Sequence, residues 1–278
     1  MPVPSTFLRV ACCQLRPQFG AVVRNRELVR DAVRSAAAGG ARLIVLPELC
    51  TTGYVFTSAA EARSLAQPAA GGALDDWIEE ANRSDTVIVG GFAEVDERGA
   101  LRNTAAVVDG SGVLAVYRKA HLWDSERDVF EAGDDPPPVV QTPVGRIGVS
   151  VCYDLFFPEM TRRLALDGAE IVVVPTNSPR TVAGIAAGQH IGVSIARAVA
   201  HVNRVFVAVC DRWGEERGQE WVGRSVIVDP AGGLMAGPPG EGAAILLADC
   251  DLATARDKRC PGASNDALGD RRPDLYGP

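Results

Sequence analysis

Histidine is scarce in this sequence: His121, His190 and His201 are the only three in 278 residues. None stands at a metal-ligand spacing, so no metal is expected. No run of five basic residues occurs, and 35 acidic against 28 basic side chains give a formal charge of -7. A surface that neutralises phosphates needs the opposite balance, so nucleic acid is not an expected partner. No charge-free apolar stretch reaches eighteen residues. The longest candidate, Val182 to Cys210, is interrupted by His190, Arg197, His201, Asn203 and Arg204, so no membrane segment is expected. The first ten residues lack a charged segment followed by a long apolar one, and no export signal is read there. Also missing are Gly-x-Ser-x-Gly, a phosphate-cradling glycine loop, His-Glu-x-x-His and Cys-x-x-Cys. Several common enzyme classes fall with them.

What is present is an apolar, enzyme-sized chain, 47% hydrophobic and 23% charged. The cysteines lie at 12, 13, 50, 152, 210, 250 and 260, an odd number at irregular spacing and mostly inside apolar segments. A disulfide framework would look different, so a reducing, cytoplasmic setting is expected. Short β-branched runs alternate with helical patterns. Strands are expected at Phe7–Leu15, Arg42–Leu46, Thr86–Val89, Arg146–Val151, Ile171–Val174, Val205–Cys210, Arg224–Val228 and Ala243–Ala248. Helices are expected at Asn25–Ala38, Leu74–Asn82, Glu159–Asp167 and about Gly188–Ala200. Asp109-Gly110-Ser111-Gly112 joins Ala105–Val108 to Val113–Tyr117 as a hairpin, and Asp229 to Gly233 is a second hairpin turn.

One stretch repeats. Ala38 to Glu48 and Leu166 to Thr176 each run from a helix end through a Gly-Ala turn into a buried strand stopped by proline. Chance similarity of two helix-to-strand units is the plain explanation. The alternative is a pseudo-symmetric sandwich that presents side chains just beyond its strand ends, on rigid supports. No linker divides the chain, so residues 1–278 read as one domain. From about residue 257 to 278 large apolar residues are few, which suits a tail wrapped on a surface or a partner subunit.

Three strand ends carry reactive groups. Cys152 follows an apolar strand, with Pro158-Glu159 opening a helix soon after, a setting that favours thiolate. A cysteine beside such a strand is more often packing, and the other six are assigned to packing. Glu48 directly follows the buried strand ending at Leu46-Pro47, and Lys119 follows the strand ending at Tyr117-Arg118. A lone Glu or Lys at a strand end is usually a solvated edge residue. Together the three supply a base, a cation and a nucleophile.

This set resembles the nitrilase superfamily of carbon–nitrogen hydrolases over nearly the whole chain. The quoted signatures are Pro-Glu-x-x-x-x-Gly-Tyr at 47 to 54, Tyr-Arg-Lys-x-His-Leu at 117 to 122, and Gly-x-x-x-Cys-Tyr-Asp-x-x-Phe-Pro-Glu at 148 to 159. Gly223 to Gly232 looks like the family's late hairpin. The resemblance implies an α/β fold, a four-layer α-β-β-α sandwich with pseudo-two-fold symmetry, and a catalytic triad of Glu48, Lys119 and Cys152. It also implies a supporting second glutamate, Glu126, with Glu131 competing for that place. By the same resemblance the backbone N–H of Tyr153 serves the oxyanion, no organic cofactor or metal is needed, and the chain forms a homodimer or higher homo-oligomer.

Amide hydrolysis through a thioester is the implied activity, with a nitrilase, an N-carbamoyl hydrolase and a non-catalytic binding protein as alternatives. Cys152-Tyr153-Asp154 looks like the amidase branches rather than the Cys-Trp-Glu of nitrilases proper. Leu155, Phe156 and Phe157 stand where carbamoyl-amino-acid hydrolases resemble this pattern but place arginines for a substrate carboxylate. An uncharged or amine-bearing small amide, aliphatic or amino-acid-derived, is therefore favoured. Candidate substrate-binding residues are Tyr54, Trp123, Glu131, Phe156, Asn177 and Trp221. Asp124 or Glu131 is the candidate to receive a substrate amine.

Overall fold

A computed structural model describes residues 6–180, 190–260 and 262–276. Two six-stranded sheets lie face to face, each covered on its outer side by helices. The first sheet has the order β14-β1-β2-β3-β4-β5, built from Ala244–Asp251, Phe7–Gln14, Leu43–Val45, Val87–Val95, Leu101–Asp109 and Gly112–Arg118. The second has the order β13-β12-β9-β8-β7-β6, from Leu234–Ala236, Val226–Val228, Phe206–Cys210, Ile171–Pro175, Gly145–Val149 and Val139–Thr142. In both, three parallel strands form the middle, β1-β2-β3 and β7-β8-β9, flanked by antiparallel strands. The repeated stretch noted in the sequence is β2 and β8, which hold equivalent places in the two sheets.

Strict alternation along the strands makes these layers. In β1, Leu8, Val10 and Cys12 face the opposite sheet, while Ala11 and Cys13 pack under the helices. In β8, Ile171 and Val173 face inward and Val172 and Val174 outward. Because both faces are covered, these strands read as unbroken apolar runs. Helices α1 (Val22–Ala38) and α3 (Ala73–Ser84) cover the first sheet. Helices α4 (Pro158–Leu166) and α5 (Ile191–Asn203) cover the second. The expected helical start at Gly188 lies outside the described residues; Ile191 opens the described helix, with His190 as its N-cap.

The sequence pattern missed several elements. β3 runs on through Gly90-Gly91 to Val95, past the Val89 end expected from sequence. Strand β6 was not expected, nor was a separate two-stranded hairpin, β10 (Trp213–Glu216) with β11 (Gln219–Val222). A short helix, α2 (Ala59–Leu65), covers a smaller apolar cluster built on Leu49, Phe130 and Leu122. The tail lies on its own chain at its start, where Lys258 donates to the Arg204 carbonyl and Arg162 to the Ala267 carbonyl. Cys260, assigned to packing from sequence, is only half-buried in that tail and belongs to none of the apolar clusters. Among the described residues no helix is long and apolar enough to cross a membrane.

Candidate active site

Glu48, Lys119 and Cys152 each sit just past the end of a strand: β2, β5 and β7. The turn at Glu48 is pressed onto β3. A Cβ on Gly91 would lie 2.6 Å from the Glu48 Cα and 2.6 Å from the Leu49 nitrogen, so only glycine permits this approach. Gly91 also donates to the Pro47 carbonyl and accepts from Cys50 N–H. Leu49 and Cys152 both adopt left-handed backbone, with φ of +46° and +48°. Each costs on the order of 1 kcal/mol or more, strain that packed surroundings must hold in place.

The Lys119 ammonium lies between two carboxylates, 2.8 Å from Glu48 Oε1 and 2.9 Å from Glu126 Oε1. All three side chains are buried. Asn103, on β4, donates from the same Nδ2 to Glu48 Oε1 at 2.8 Å and to Glu126 Oε1 at 3.2 Å. The other oxygen of Glu126 accepts from the Trp123 N–H at 2.8 Å. Glu48 Oε2 is buried with no partner among the described residues. One oxygen of this carboxylate is therefore held in place, and the other has no partner among the described residues.

Charge states follow from this burial. Burial pushes the Glu48 carboxyl up to about 7, with Lys119 opposing and Glu126 adding to the shift. Burial alone would push Lys119 down, but the two carboxylates more than offset it and hold the ammonium form. Burial also pushes the Cys152 thiol well up, and Glu48 pushes it further against the pull of Lys119. The sequence expectation of a favoured thiolate is thus reversed. The reason is local: α4 opens at Pro158, six residues past the cysteine, while the near environment is apolar and carries a carboxylate. The resting thiol keeps its proton, with the Asn177 carbonyl 3.7 Å from Sγ as its acceptor. Asn177 also donates from Nδ2 to the Glu48 carbonyl at 3.0 Å, linking the end of β8 to the end of β2.

Against this geometry, the chain's kinship is clear. The carbon-nitrogen hydrolase family matches residues 9–259. The chain belongs to that family. A nitrilase of Pyrococcus abyssi is 34% identical over 97% of this chain and 99% of its own length. An (R)-stereoselective amidase of Pseudomonas sp is 32% identical over 82% of this chain and 80% of its own. In three dimensions, a variant of the amidase of Nesterenkonia sp. AN1 superposes with a TM-score of 0.78, at 29% identity over 99% of this chain and 97% of that one. That structure shows the acetamide moiety of fluoroacetamide added covalently at its active-site cysteine.

In this carbon–nitrogen hydrolase, two adjoining cavities meet at Trp123 and Pro179, which line both. The first is apolar. Cys152 opens into it beside Leu155, Phe156, Val209 and Val226, with Asn177 also in its wall. The second mixes polar and apolar groups and holds Glu126 with Tyr54, Asp124, Gln219 and Trp221, against Phe56 and Phe130. Tyr54 meets Trp221 edge to face at 5.0 Å. The buried pair Arg212–Glu216, at 2.7 Å, seats this wall, since Glu216 also accepts from the Tyr54 and Val55 N–H groups.

Of the residues expected from sequence, Glu131 alone is misplaced. Its side chain is 69% exposed and faces Arg102 at 3.7 Å, although its backbone runs beside β4 and, two residues on, Gly133 donates to the Lys119 carbonyl. Of the two glutamates, Glu126 is the one in contact with Lys119. Asp124, the other candidate for an amine, is exposed and lines the second cavity.

Two residues escaped the sequence reading. Asn103 could have been noticed only as a polar residue in an apolar strand. Asp154 stood in a quoted motif without a role. It is fully buried and accepts from Tyr117 Oη at 2.9 Å, the His121 N–H at 3.0 Å and the Val151 N–H at 3.1 Å. One carboxylate thus ties the segments on either side of Lys119 to the residue before Cys152.

Proposed function

We propose that this hydrolase cleaves a small aliphatic or amino-acid-derived amide to the carboxylic acid and ammonia through a thioester on Cys152. The observation that carries this reading is the asymmetry of Glu48: Oε1 is held by Lys119 and Asn103, and Oε2 is buried and unpaired among the described residues. A carboxylate raised to about 7 is matched to neutral pH as a general base. As the sulfur bonds to the amide carbon, the thiol proton passes to Glu48 and the carbonyl oxygen gains negative charge. Lys119 and the Tyr153 N–H stabilise that oxygen; the latter lies at the start of the 3-10 turn Cys152–Phe156, where amides have no partner within the turn. Glu48 returns the proton to nitrogen, the carbon–nitrogen bond breaks and ammonia leaves. Water, losing its proton to Glu48, then attacks the thioester and releases the acid with the thiol restored.

Covalent addition at the cysteine of the Nesterenkonia amidase supports a nucleophilic Cys152 here. The seven unpaired cysteines suit a reducing, cytoplasmic location. A homo-oligomer is also proposed, since apolar Leu275 and Tyr276 in the tail are 70% and 63% exposed.

The test is an amide and nitrile panel read by ammonia release, with the acyl-enzyme trapped by acid quench and located by mass spectrometry. An acyl group on the peptide containing Cys152 is expected with amides. Turnover of nitriles alone, or turnover without an adduct on Cys152, would sink the reading.

A further inference from the structure

Asp211 is a buried carboxylate that the proposed reaction does not use. It directly follows β9 and is 0% exposed. It makes no ion pair among the described residues; the guanidinium of its neighbour Arg212 goes to Glu216 instead, at 2.7 Å. Its oxygens are met by N–H groups of two separate segments. Oδ1 accepts from the Ser178 N–H at 2.9 Å, and Oδ2 accepts from the Arg224 N–H at 2.9 Å. Burial still pushes the carboxyl up to about 7 against these donors. A buried carboxylate without a cation is costly to keep, which directs attention to what its two hydrogen bonds hold.

Both segments belong to the candidate active site. Ser178 immediately follows Asn177, whose carbonyl lies 3.7 Å from the Cys152 sulfur and whose Nδ2 donates to the Glu48 carbonyl at 3.0 Å. Arg224 leads into β12 just after Trp221 and Val222 of β11, and Val222 N–H donates to the Ser178 carbonyl at 3.2 Å. The Asp211 N–H donates to Ser225 Oγ at 2.9 Å, so the next residue is tied to the same place. Ser225 N–H in turn donates to Gln14 Oε1 at 3.2 Å, at the end of β1. Asp211 itself lines neither cavity.

We propose, on the amide-hydrolysis reading, that Asp211 is a positioning residue: by holding Ser178 and Arg224 together it sets the Asn177 turn where that turn meets both Cys152 and Glu48. It touches no reacting atom and acts through Asn177. A carboxylate suits the place better than a carboxamide, because it offers an acceptor to each N–H, whereas a carboxamide sets its own NH₂ against one of the two donors. A clamp that served folding alone would change stability and leave the kinetics of folded protein as they were. A clamp that sets the turn changes the rate at saturating amide.

The experiment measures kcat and KM for the best amide of the panel and, separately, the rate at which iodoacetamide alkylates Cys152, with the adduct located by mass spectrometry. Asp211→Ala should lower kcat by roughly 100-fold, the effect of misplacing reacting groups by about 1 Å, with KM within about threefold. Asp211→Asn keeps one acceptor and should recover roughly tenfold of that loss. Alkylation of Cys152 should slow in the same order. A circular-dichroism melt reports which variants are folded; should Asp211→Ala fail to fold, the remaining loss of roughly tenfold in Asp211→Asn against the native protein decides. Folded variants with native kcat, a loss confined to KM, or equal losses in both variants overturn the positioning role. Slower alkylation of Cys152 in Asp211→Asn, in a protein that releases no ammonia from any amide, keeps the positioning role and overturns the reaction.

Discussion

The two sheets are copies of one plan, and the register lets them be compared residue by residue. Val10, Ala11 and Cys12 pair with Leu43, Ile44 and Val45 in the first sheet, as Ile147, Gly148 and Val149 pair with Ile171, Val172 and Val173 in the second. Carried forward, Glu48 corresponds to Thr176, and Cys152 corresponds to Leu15. Thr176 turns its hydroxyl back onto the Val174 carbonyl at 3.0 Å, and Leu15 is buried under the helices. Each half therefore presents one reactive group where its counterpart presents packing. A base and a nucleophile at the same place in one half could not face each other; split between halves, they meet where β2 and β8 end, joined by Asn177 and the Glu48 carbonyl. The frame is symmetric and the chemistry depends on breaking that symmetry.

The largest test of this division is removal of the nucleophile. Cys152→Ala should lower ammonia release by roughly 10⁴-fold or more, since loss of an attacking group leaves only binding and electrostatic catalysis. Its thermal midpoint should stay near native, because Cys152 as a residue is only half-buried and the one polar contact of its thiol among the described residues is the long one to Asn177. A variant that kept even a tenth of native turnover would place the nucleophile elsewhere.

Next comes the cation of the first half. Lys119→Met leaves Glu48 and Glu126 buried together without their shared ammonium. Stranding buried charge in this way costs about 3–5 kcal/mol, readable as a fall in the urea midpoint. The pH dependence has a definite sign. Lys119 holds the Glu48 carboxyl down, so without it that carboxyl rises further above its unfolded value; the stabilising protonation is complete at low pH and is lost as pH rises. The deficit should be smaller at pH 5 than at pH 8. An equal deficit at both would mean that packing of the lysine stem, not charge, is what was removed.

A subtler change concerns how far the base is raised. As the proposed base Glu48 must be ionised, and with its carboxyl raised to about 7 the kcat/KM profile should fall tenfold per unit below that pH. Glu126 is one cause of the upward shift. Glu126→Gln should therefore move this acid limb to lower pH. A purely structural role would lower activity at every pH and leave the limb where it was.

How far the sequence leads depends on how local each cause is. The central strands were legible because both faces are buried, so β1, β2, β8 and β9 appear as short apolar runs with a stop. β3 was cut short at Val89, where the apolar run gives way to Gly90-Gly91, although Gly91 is in the strand to admit the Glu48 turn. β10 and β11 carry charge and bury only part of one face, which hides their alternation. Glu48, Lys119 and Cys152 could be picked out because their motifs are contiguous. The roles of Asn103 and Asp154 could not, since each depends on partners brought together from three separate segments. The thiol's protonation was misjudged for the same reason: desolvation is a property of the assembled cavity.

The smallest expected effect sharpens the comparison from its quiet side. Cys13 lies on β1, and the register makes its counterpart Ser150, two residues before the nucleophile. Its thiol is fully buried among Val29, Val33 and Ala36 of the helix layer, and its only hydrogen bond among the described residues is a weak one to the Ala32 carbonyl at 3.9 Å. Cys13→Ala removes one sulfur from close packing and leaves a small void, which should cost on the order of 1 kcal/mol in a denaturant titration. Ammonia release should stay within about twofold, because the side chain faces α1 on the far side of the first sheet from the catalytic groups. A large loss of turnover with stability unchanged would show that the first half does more than seat the base, and that the two halves are coupled through β1.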